Sequence, residues 1–420
     1  MRSFKVSLGT FVFGCAALGA TTFGQLQKGD SVAVIGDSIT EQRRYSVYIE
    51  EYLTMCQPAA DLKQTQFGWS GETSWGFEAR MDNDMLRFKS NVATTCFGMN
   101  DGGYKPMNDA TAKRYRDAQT RIVQKLKQAG VRFIVVGSPG AVDVQTFRNH
   151  NRELADMYNK TLAAERDISK EVADKEGVAF ADVFDPMVSV MTAAEEKFGK
   201  DYHLAGGDGV HPDNNGHLVM AYAFLKGLGC KGDIGTITVD LAGSKAEATD
   251  GHKILSCSDG AVEIESTRYP FCFPGGRGPT DSTRAILPYL PFNDELNRYM
   301  LVVKHAGTGK VKVTWGAASK EFGADQLSKG INLAAEFLNN PFAEPFRRIE
   351  DQIRRKEEVE TPLVKQTINE IPAVAKATPA AAEPLEKAAT LGVEMDRSLQ
   401  QALTASVVPV KHTIKIEAVK

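Results

Sequence analysis

SVAVIGDSIT (residues 31–40) is an apolar run of strand length that stops in a glycine-led turn. It is short, rich in Val and Ile, and lacks strict polar alternation, which marks a strand covered on both faces. Four further runs repeat the pattern, at 65–68, 91–97, 132–136 and 178–184. The run at 91–97 ends in Gly-Met-Asn-Asp and that at 132–136 in Gly-Ser-Pro-Gly. Helical spacing fills 46–55, 113–129, 151–175 and 213–228, with Gly130 and Gly177 as stops after the second and third. Such alternation predicts a parallel sheet with helices on both faces. Right-handed crossovers bring the C-terminal ends of all its strands to one edge, where ligands bind in open α/β sheets. The turns after the first three strands and the segment before residue 213 are therefore expected to meet.

The chain has 420 residues, 42% hydrophobic and 25% charged. These are ordinary values for a globular protein and exclude wholesale disorder, a collagen-like fibre and a multi-span membrane protein. Lys and Arg number 50 against 53 Asp and Glu, a net charge of -3. A nucleic-acid binder needs a basic surplus, so no nucleic-acid partner is expected.

Arg2 and Lys5 precede an uncharged apolar or small stretch, and Thr22-Phe23-Gly24 offers small residues before Gln25. Residues 1–24 read as a secretory signal peptide, which predicts an exported protein, periplasmic or secreted, with no integral span after its removal. A retained anchor and a lipid-modified Cys15 are the competing readings. Beyond the leader, Cys56, Cys96, Cys230, Cys257 and Cys272 are too few and odd in number for a disulfide scaffold. A Cys257–Cys272 pair is left open, Cys96 reads as a small buried residue, and no spacing suits a structural metal.

Composition shifts after Gly229. Residues 230–340 are rich in Gly, Pro and β-branched residues and predict a small antiparallel β appendage, with Gly307-Thr308-Gly309 as a hairpin loop. Residues 341–420 turn helical, with Phe342, Phe346, Ile349 and Ile353 as an apolar stripe. The charge run RRIEDQIRRKEE (347–358) reads as a solvated face, and KHTIKIEAV (411–419) as a closing strand. Residues 25–229 are expected to form the main domain.

Four short segments carry the chemistry. Ser38, just after a buried strand and before a helix, suits a nucleophile, although it suits a helix N-cap equally. Asp208-Gly209-Val210-His211-Pro212 places a carboxylate three residues before an imidazole, which can orient that ring as a base; a loop aspartate and a surface histidine are the plain alternative. In Ser70-Gly71-Glu72 the Gly71 N–H has no side chain in its way, and Asn100 carries an amide. Both are donors suited to an oxyanion, as is the Ser38 N–H, and both motifs also mark ordinary turns.

In this order and at these strand ends, IGDSIT, GWSGETSWG, FGMND and DGVHP resemble the blocks of the SGNH (GDSL-type) hydrolase superfamily, over residues 30–228. The resemblance implies a three-layer α/β/α, flavodoxin-like sheet. It implies Ser38 as nucleophile, Gly71 and Asn100 as oxyanion donors beside the Ser38 N–H, and His211 as base oriented by Asp208, with no cofactor and no metal. It implies an exported serine esterase acting on a small-molecule or polysaccharide ester, foremost a carbohydrate O-acetyl ester. A lipid- or aryl-ester hydrolase and a catalytically vestigial carbohydrate- or surface-binding protein are the rivals. No G-x-S-x-G elbow and no P-loop occurs. Trp69 and Trp75 flank Gly71 as a sugar-stacking platform or as plain wall. His203 and the Asn159-Lys160-Thr161 sequon are read as incidental.

Overall fold

Neighbouring residues of the first strand, β1 (Ser31–Gly36), serve two different cores, as the two-residue period of a strand requires. Val32 and Val34 pack on one side with Tyr45, Met187, Leu218 and Phe224. Ala33 and Ile35 pack on the other with Phe77, Ile122, Leu126 and Val172. The helices supplying these partners are Tyr45–Glu51, Phe184–Phe198 and Asn214–Gly227 on the first face, and Ser74–Arg80, Asp109–Gln128 and Arg152–Glu176 on the second. With β2 (Lys63–Gly68), β3 (Val92–Cys96), β4 (Phe133–Gly137) and β5 (Ala179–Ala181), β1 forms a parallel sheet of order β2-β1-β3-β4-β5. This is the three-layer α/β/α arrangement expected from the sequence. The computed structural model describes residues 24–57, 61–199, 201–274, 276, 278 and 282–419, so the expected leader lies outside the described residues except for Gly24. Among the described residues no helix is long and apolar enough to cross a membrane.

The second half departs from a simple antiparallel appendage. Its strands are β6 (Asp233–Asp240), β7 (Lys245–Ala248), β8 (His252–Ser258), β9 (Ala261–Ser266), β10 (Arg298–Lys304), β11 (Lys310–Trp315), β12 (Ala318–Gly323), β13 (Ile331–Asn332) and β14 (Val410–Ala418). They form two sheets, β13-β10-β6-β7 and β12-β11-β14-β9-β8, and β6 and β10 run parallel. The expected hairpin at 307–309 is absent. β10 pairs with β6 and β13, while β11 pairs with β12 and β14, so the loop carries the chain from one sheet to the other. Left-handed backbone at His305, Gly307 and Gly309 makes that swing. The closing strand β14 is real and lies inside the five-stranded sheet. Cys257 and Cys272 are free thiols. Cys272 is buried and points at the Pro270 carbonyl, while Cys257 is only half-buried on β8.

The charge run of the tail is a solvated face only in part: Arg347, Arg348, Asp351 and Arg355 are exposed, but Glu350, Lys356 and Glu357 are buried. β2 is the edge strand of the parallel sheet, and such an edge exposes backbone groups that must find partners. Helices Ala343–Pro362 and Ala382–Ser406 supply them. Lys356 Nζ donates to the Gln64 carbonyl at 2.7 Å, and the Gln400 amide donates to the same oxygen. The Gln66 N–H donates to the Glu360 carboxylate at 3.0 Å, and the Thr65 hydroxyl to Asp396 at 3.1 Å. Lys356 also pairs with Glu50 at 3.0 Å and with Glu360, and all three side chains are at most 3% exposed. Burial pushes Glu50 up to about 8, against the pull of the Lys356 ammonium. Removing one partner from a buried charge cluster costs about 3–5 kcal/mol. Lys356→Ala is therefore expected to lower stability by that order in urea unfolding, whereas Arg347→Ala on the exposed side of the same helix is expected to change it by well under about 1 kcal/mol.

Candidate active site

The turn after β1 begins with Gly36. A Cβ there would lie 2.1 Å from the Thr40 hydroxyl and 2.9 Å from the Cys96 carbonyl, so only glycine lets the short helix Ser38–Glu41 sit this close. That helix is capped by Asp37, whose carboxylate accepts the Ile39 N–H at 2.9 Å. The capping role open to Ser38 in the sequence is thus filled by its neighbour. Burial raises Asp37 to about 7, with the Ile39 N–H pulling the other way.

Ser38 Oγ instead lies 2.8 Å from His211 Nε2, across 173 positions of chain. His211 Nδ1 is 2.7 Å from Asp208 Oδ2. Asp208 Oδ1 accepts the N–H groups of Val210 and His211, each at 2.9 Å, which locks the loop around the carboxylate. Because an ionised Asp208 can only accept, the proton on the ring belongs on Nδ1, leaving Nε2 as an acceptor for the Ser38 hydroxyl. Burial works to raise Asp208, but the His211 ring and the two backbone donors outweigh it and bring its carboxyl down to about 2. His211 moves the opposite way: its hydrogen bond with Asp208 holds it above the ordinary 6.5, against burial.

The sheet register brings the other motifs to the same level. Gly36 pairs with Gly68 on β2 and with Cys96 on β3, so the turns carrying Ser38, Gly71 and Asn100 leave the sheet from one row. The Glu72 N–H donates to the Trp69 carbonyl at 3.1 Å, closing a four-residue turn. Gly71, third in that turn, has φ +74, which favours glycine. Asn100 Nδ2 donates to the Glu72 carbonyl at 3.0 Å. A primary amide carries two N–H donors, so one bond to the turn leaves a second for a ligand.

Sequence reasoning missed a residue here. Asp101, quoted in the third motif without a role, is buried and accepts from the Gly98 N–H at 3.1 Å and from the N–H and hydroxyl of Ser74 at 2.8 and 2.5 Å. It ties the Asn100 turn to the helix that follows Gly71. Burial raises it to about 6, with these donors pulling against.

A cleft of about 490 Å³ opens beside Asp208 and His211, lined also by Tyr104, Thr146, Arg148 and His150. The Arg148 guanidinium stacks on the Tyr104 ring at 4.3 Å. Trp69 and Trp75 are half-buried and already engaged. Arg80 and Lys365 lie 4.6 and 4.8 Å from the Trp69 ring centre, and Arg114 lies 3.6 Å from that of Trp75. His203 faces Asp213 at 3.6 Å. The Asn159 side chain is bound to the backbone of Val142 through both its oxygen and its nitrogen, each at 2.9 Å. Among the described residues, no group of three or more His, Cys, Asp or Glu side chains converges as a metal site would.

Residues 34–219 match the model of the GDSL-like lipase/acylhydrolase family. The acetylxylan esterase of Geobacillus stearothermophilus is 22% identical over 227 residues, which cover 49% of this chain and 96% of that protein. A solved structure described as a gut microbial diltiazem-metabolizing enzyme is 21% identical, covers 95% of this chain and 100% of its own, and superposes with a TM-score of 0.72. That likeness concerns the fold, and it extends through the second half of the chain. The four sequence blocks, the parallel sheet and the family match agree: residues 34–219 belong to the GDSL-type, or SGNH, hydrolase superfamily and make this protein an ester-hydrolysing enzyme.

Proposed function

We propose that this protein is an exported serine esterase that removes O-acetyl groups from carbohydrate through an acyl-enzyme. The observation that carries the serine mechanism is the 2.8 Å contact of Ser38 Oγ with His211 Nε2, backed by Asp208 at 2.7 Å. A serine hydroxyl is a weak nucleophile at neutral pH, and an adjacent oriented imidazole is what activates it.

In the first half-reaction Ser38 Oγ attacks the ester carbonyl carbon and its proton passes to His211 Nε2. The C–O bond to the alcohol then breaks, and the imidazolium returns the proton to the departing oxygen. In the second half, water attacks the acyl-Ser38 carbonyl and gives one proton to His211; the bond to Ser38 Oγ breaks, Ser38 regains its hydrogen from the imidazolium, and the carboxylic acid leaves and ionises in solvent. In both, negative charge on the carbonyl oxygen is met by the N–H groups of Ser38 and Gly71 and the Asn100 amide. The acetyl preference rests on the named activity of the Geobacillus relative, and the carbohydrate preference also on the polar lining of the cleft. Trp69 and Trp75, half-buried beside the Gly71 turn, are proposed as substrate walls. Export rests on the leader-like composition of residues 1–24.

The test compares 4-nitrophenyl acetate, butyrate and octanoate with acetylated xylan. Ser38→Ala is expected to lose nearly all turnover; equal rates for wild type and variant would refute the mechanism. Activity that rises with acyl length and spares acetylated xylan would move the assignment to a lipid-type esterase. Asn100→Ala is expected to lower kcat by about 10²–10³-fold, as for loss of one oxyanion donor, with KM little changed. Trp69→Ala is expected to alter the ratio of rates on the polysaccharide and the aryl ester.

The pH profile has a defined sign. His211 accepts the proton only when neutral, and Asp208 holds it above 6.5. Hence kcat/KM falls as pH drops through that raised value. Asp208→Asn, which removes the carboxylate, is expected to move the inflection to lower pH as well as to lower the rate. An inflection unmoved in Asp208→Asn would remove Asp208 from its orienting role.

A further inference from the structure

The tail reaches the turn that carries Gly71. Helix Ala343–Pro362 ends at a proline, and the chain continues as a wider π-helical turn, Leu363–Ile368. Pro362 has no N–H for the helical ladder, and a π turn re-aims the side chains that follow. One of these, Lys365, sends its Nζ to Glu41 Oε1 at 2.6 Å. Glu41 closes the short helix begun by Ser38. Its other carboxylate oxygen accepts both the N–H and the hydroxyl of Ser70, the residue before Gly71. The chain of contacts is thus Lys365, Glu41, Ser70, Gly71.

Four further observations place this link in one clamp. Lys365 Nζ also sits 4.8 Å from the centre of the Trp69 ring, so it touches the residue before Ser70 as well as the carboxylate that holds Ser70. Thr361, one helical turn earlier, accepts from Arg43 at 3.2 Å and from Gln66 at 2.7 Å, gripping the segment after Ser38 and the strand before Trp69. The Lys365 and Glu41 side chains are only 22% and 18% exposed, which shields their attraction from solvent. Burial works to raise Glu41, and the Lys365 and Ser70 donors outweigh it, keeping the carboxylate ionised and able to accept.

We propose that Lys365 is a positioning residue: acting through Glu41, it holds the Ser70–Gly71 backbone at the angle from which the Gly71 N–H meets the oxyanion. The tail is then part of the working site although it lies outside the family-matched residues 34–219. The catalytic meaning rests on the esterase mechanism proposed above; the mechanical link does not.

The experiment uses the full chain as wild type, Lys365→Met, Lys365→Arg, Glu41→Gln and Glu386→Ala. The last removes a tail ion pair, Arg87–Glu386, that does not touch the turn. Two readouts are taken: kcat and KM on 4-nitrophenyl acetate, and hydrogen exchange of the peptide covering residues 69–72. Lys365→Met is expected to lower kcat by about 10–100-fold with little change in KM, a partial loss of one oxyanion donor through misplacement. It is also expected to speed exchange at 69–72. Lys365→Arg is expected to recover most of both, and Glu386→Ala to alter neither. Unchanged exchange and kcat in Lys365→Met overturn the proposal, and so does an equal loss in Glu386→Ala, which would mean general loosening of the tail. If Lys365→Met fails to fold, Glu41→Gln decides by the same two readouts, since it keeps an acceptor oxygen but loses the charge that anchors it. Faster exchange in a wild-type background that hydrolyses no ester would uphold the link and refute the esterase mechanism instead.

Discussion

The mechanism proposed for this protein depends on one hydrogen bond between residues 173 positions apart, Ser38 Oγ to His211 Nε2. No local propensity makes that contact. It exists because five strands run parallel and their C-terminal ends share an edge. β1 delivers Ser38 to that edge, and the loop before helix Asn214–Gly227 delivers His211. The register Gly36–Gly68 and Gly36–Cys96 then sets Gly71 and Asn100 beside them. Each glycine, cap and carboxylate described around the site keeps those turns at their level.

The electrostatics follow the same logic. The site is surrounded by carboxyl groups in different states. Asp208, held by three donors, is strongly ionised and keeps the imidazole in one tautomer. Asp37 and Asp101 are buried and pushed up to about 7 and 6, and they act as caps and turn ties through their acceptor oxygens. The difference comes from burial against hydrogen bonding, and it separates the orienting carboxylate from the structural ones without any change of residue type.

The second half of the chain is bound into both cores of the first. Phe271, Phe292 and Phe346 pack with Tyr48 and Tyr52 below the sheet, and Leu363, Val364 and Val393 join the core on its other face. The buried Lys356 cluster and the side-chain partners of β2 show what that packing achieves: an edge strand next to β1 is closed to other chains and held in place.

The five strands, and the meeting of Ser38, Asp208 and His211 at their edge, were legible because short apolar runs and their turns are local signals. Helix Phe184–Phe198 was not. Its Phe184 reads as the end of an apolar run, whereas β5 stops at Ala181 and Val183 already leads into the helix. The tail was misread for a different reason. Lys356 and Glu357 belong to a charge run that resembles a solvated face, and their burial depends on Glu50, Gln64 and Ser46, about 300 positions away. A single sequence holds no record of that meeting. The same holds for Lys365 and Glu41.

The most direct measurement of the central claim is reaction of the intact protein with a fluorophosphonate, followed by peptide mapping and assay of the same samples. The account predicts one phosphonyl group, on the Ser38 oxygen, with ester hydrolysis lost in step with its formation. Full hydrolysis with Ser38 unmodified, or loss of activity through modification of another residue while Ser38 stays free, would contradict it.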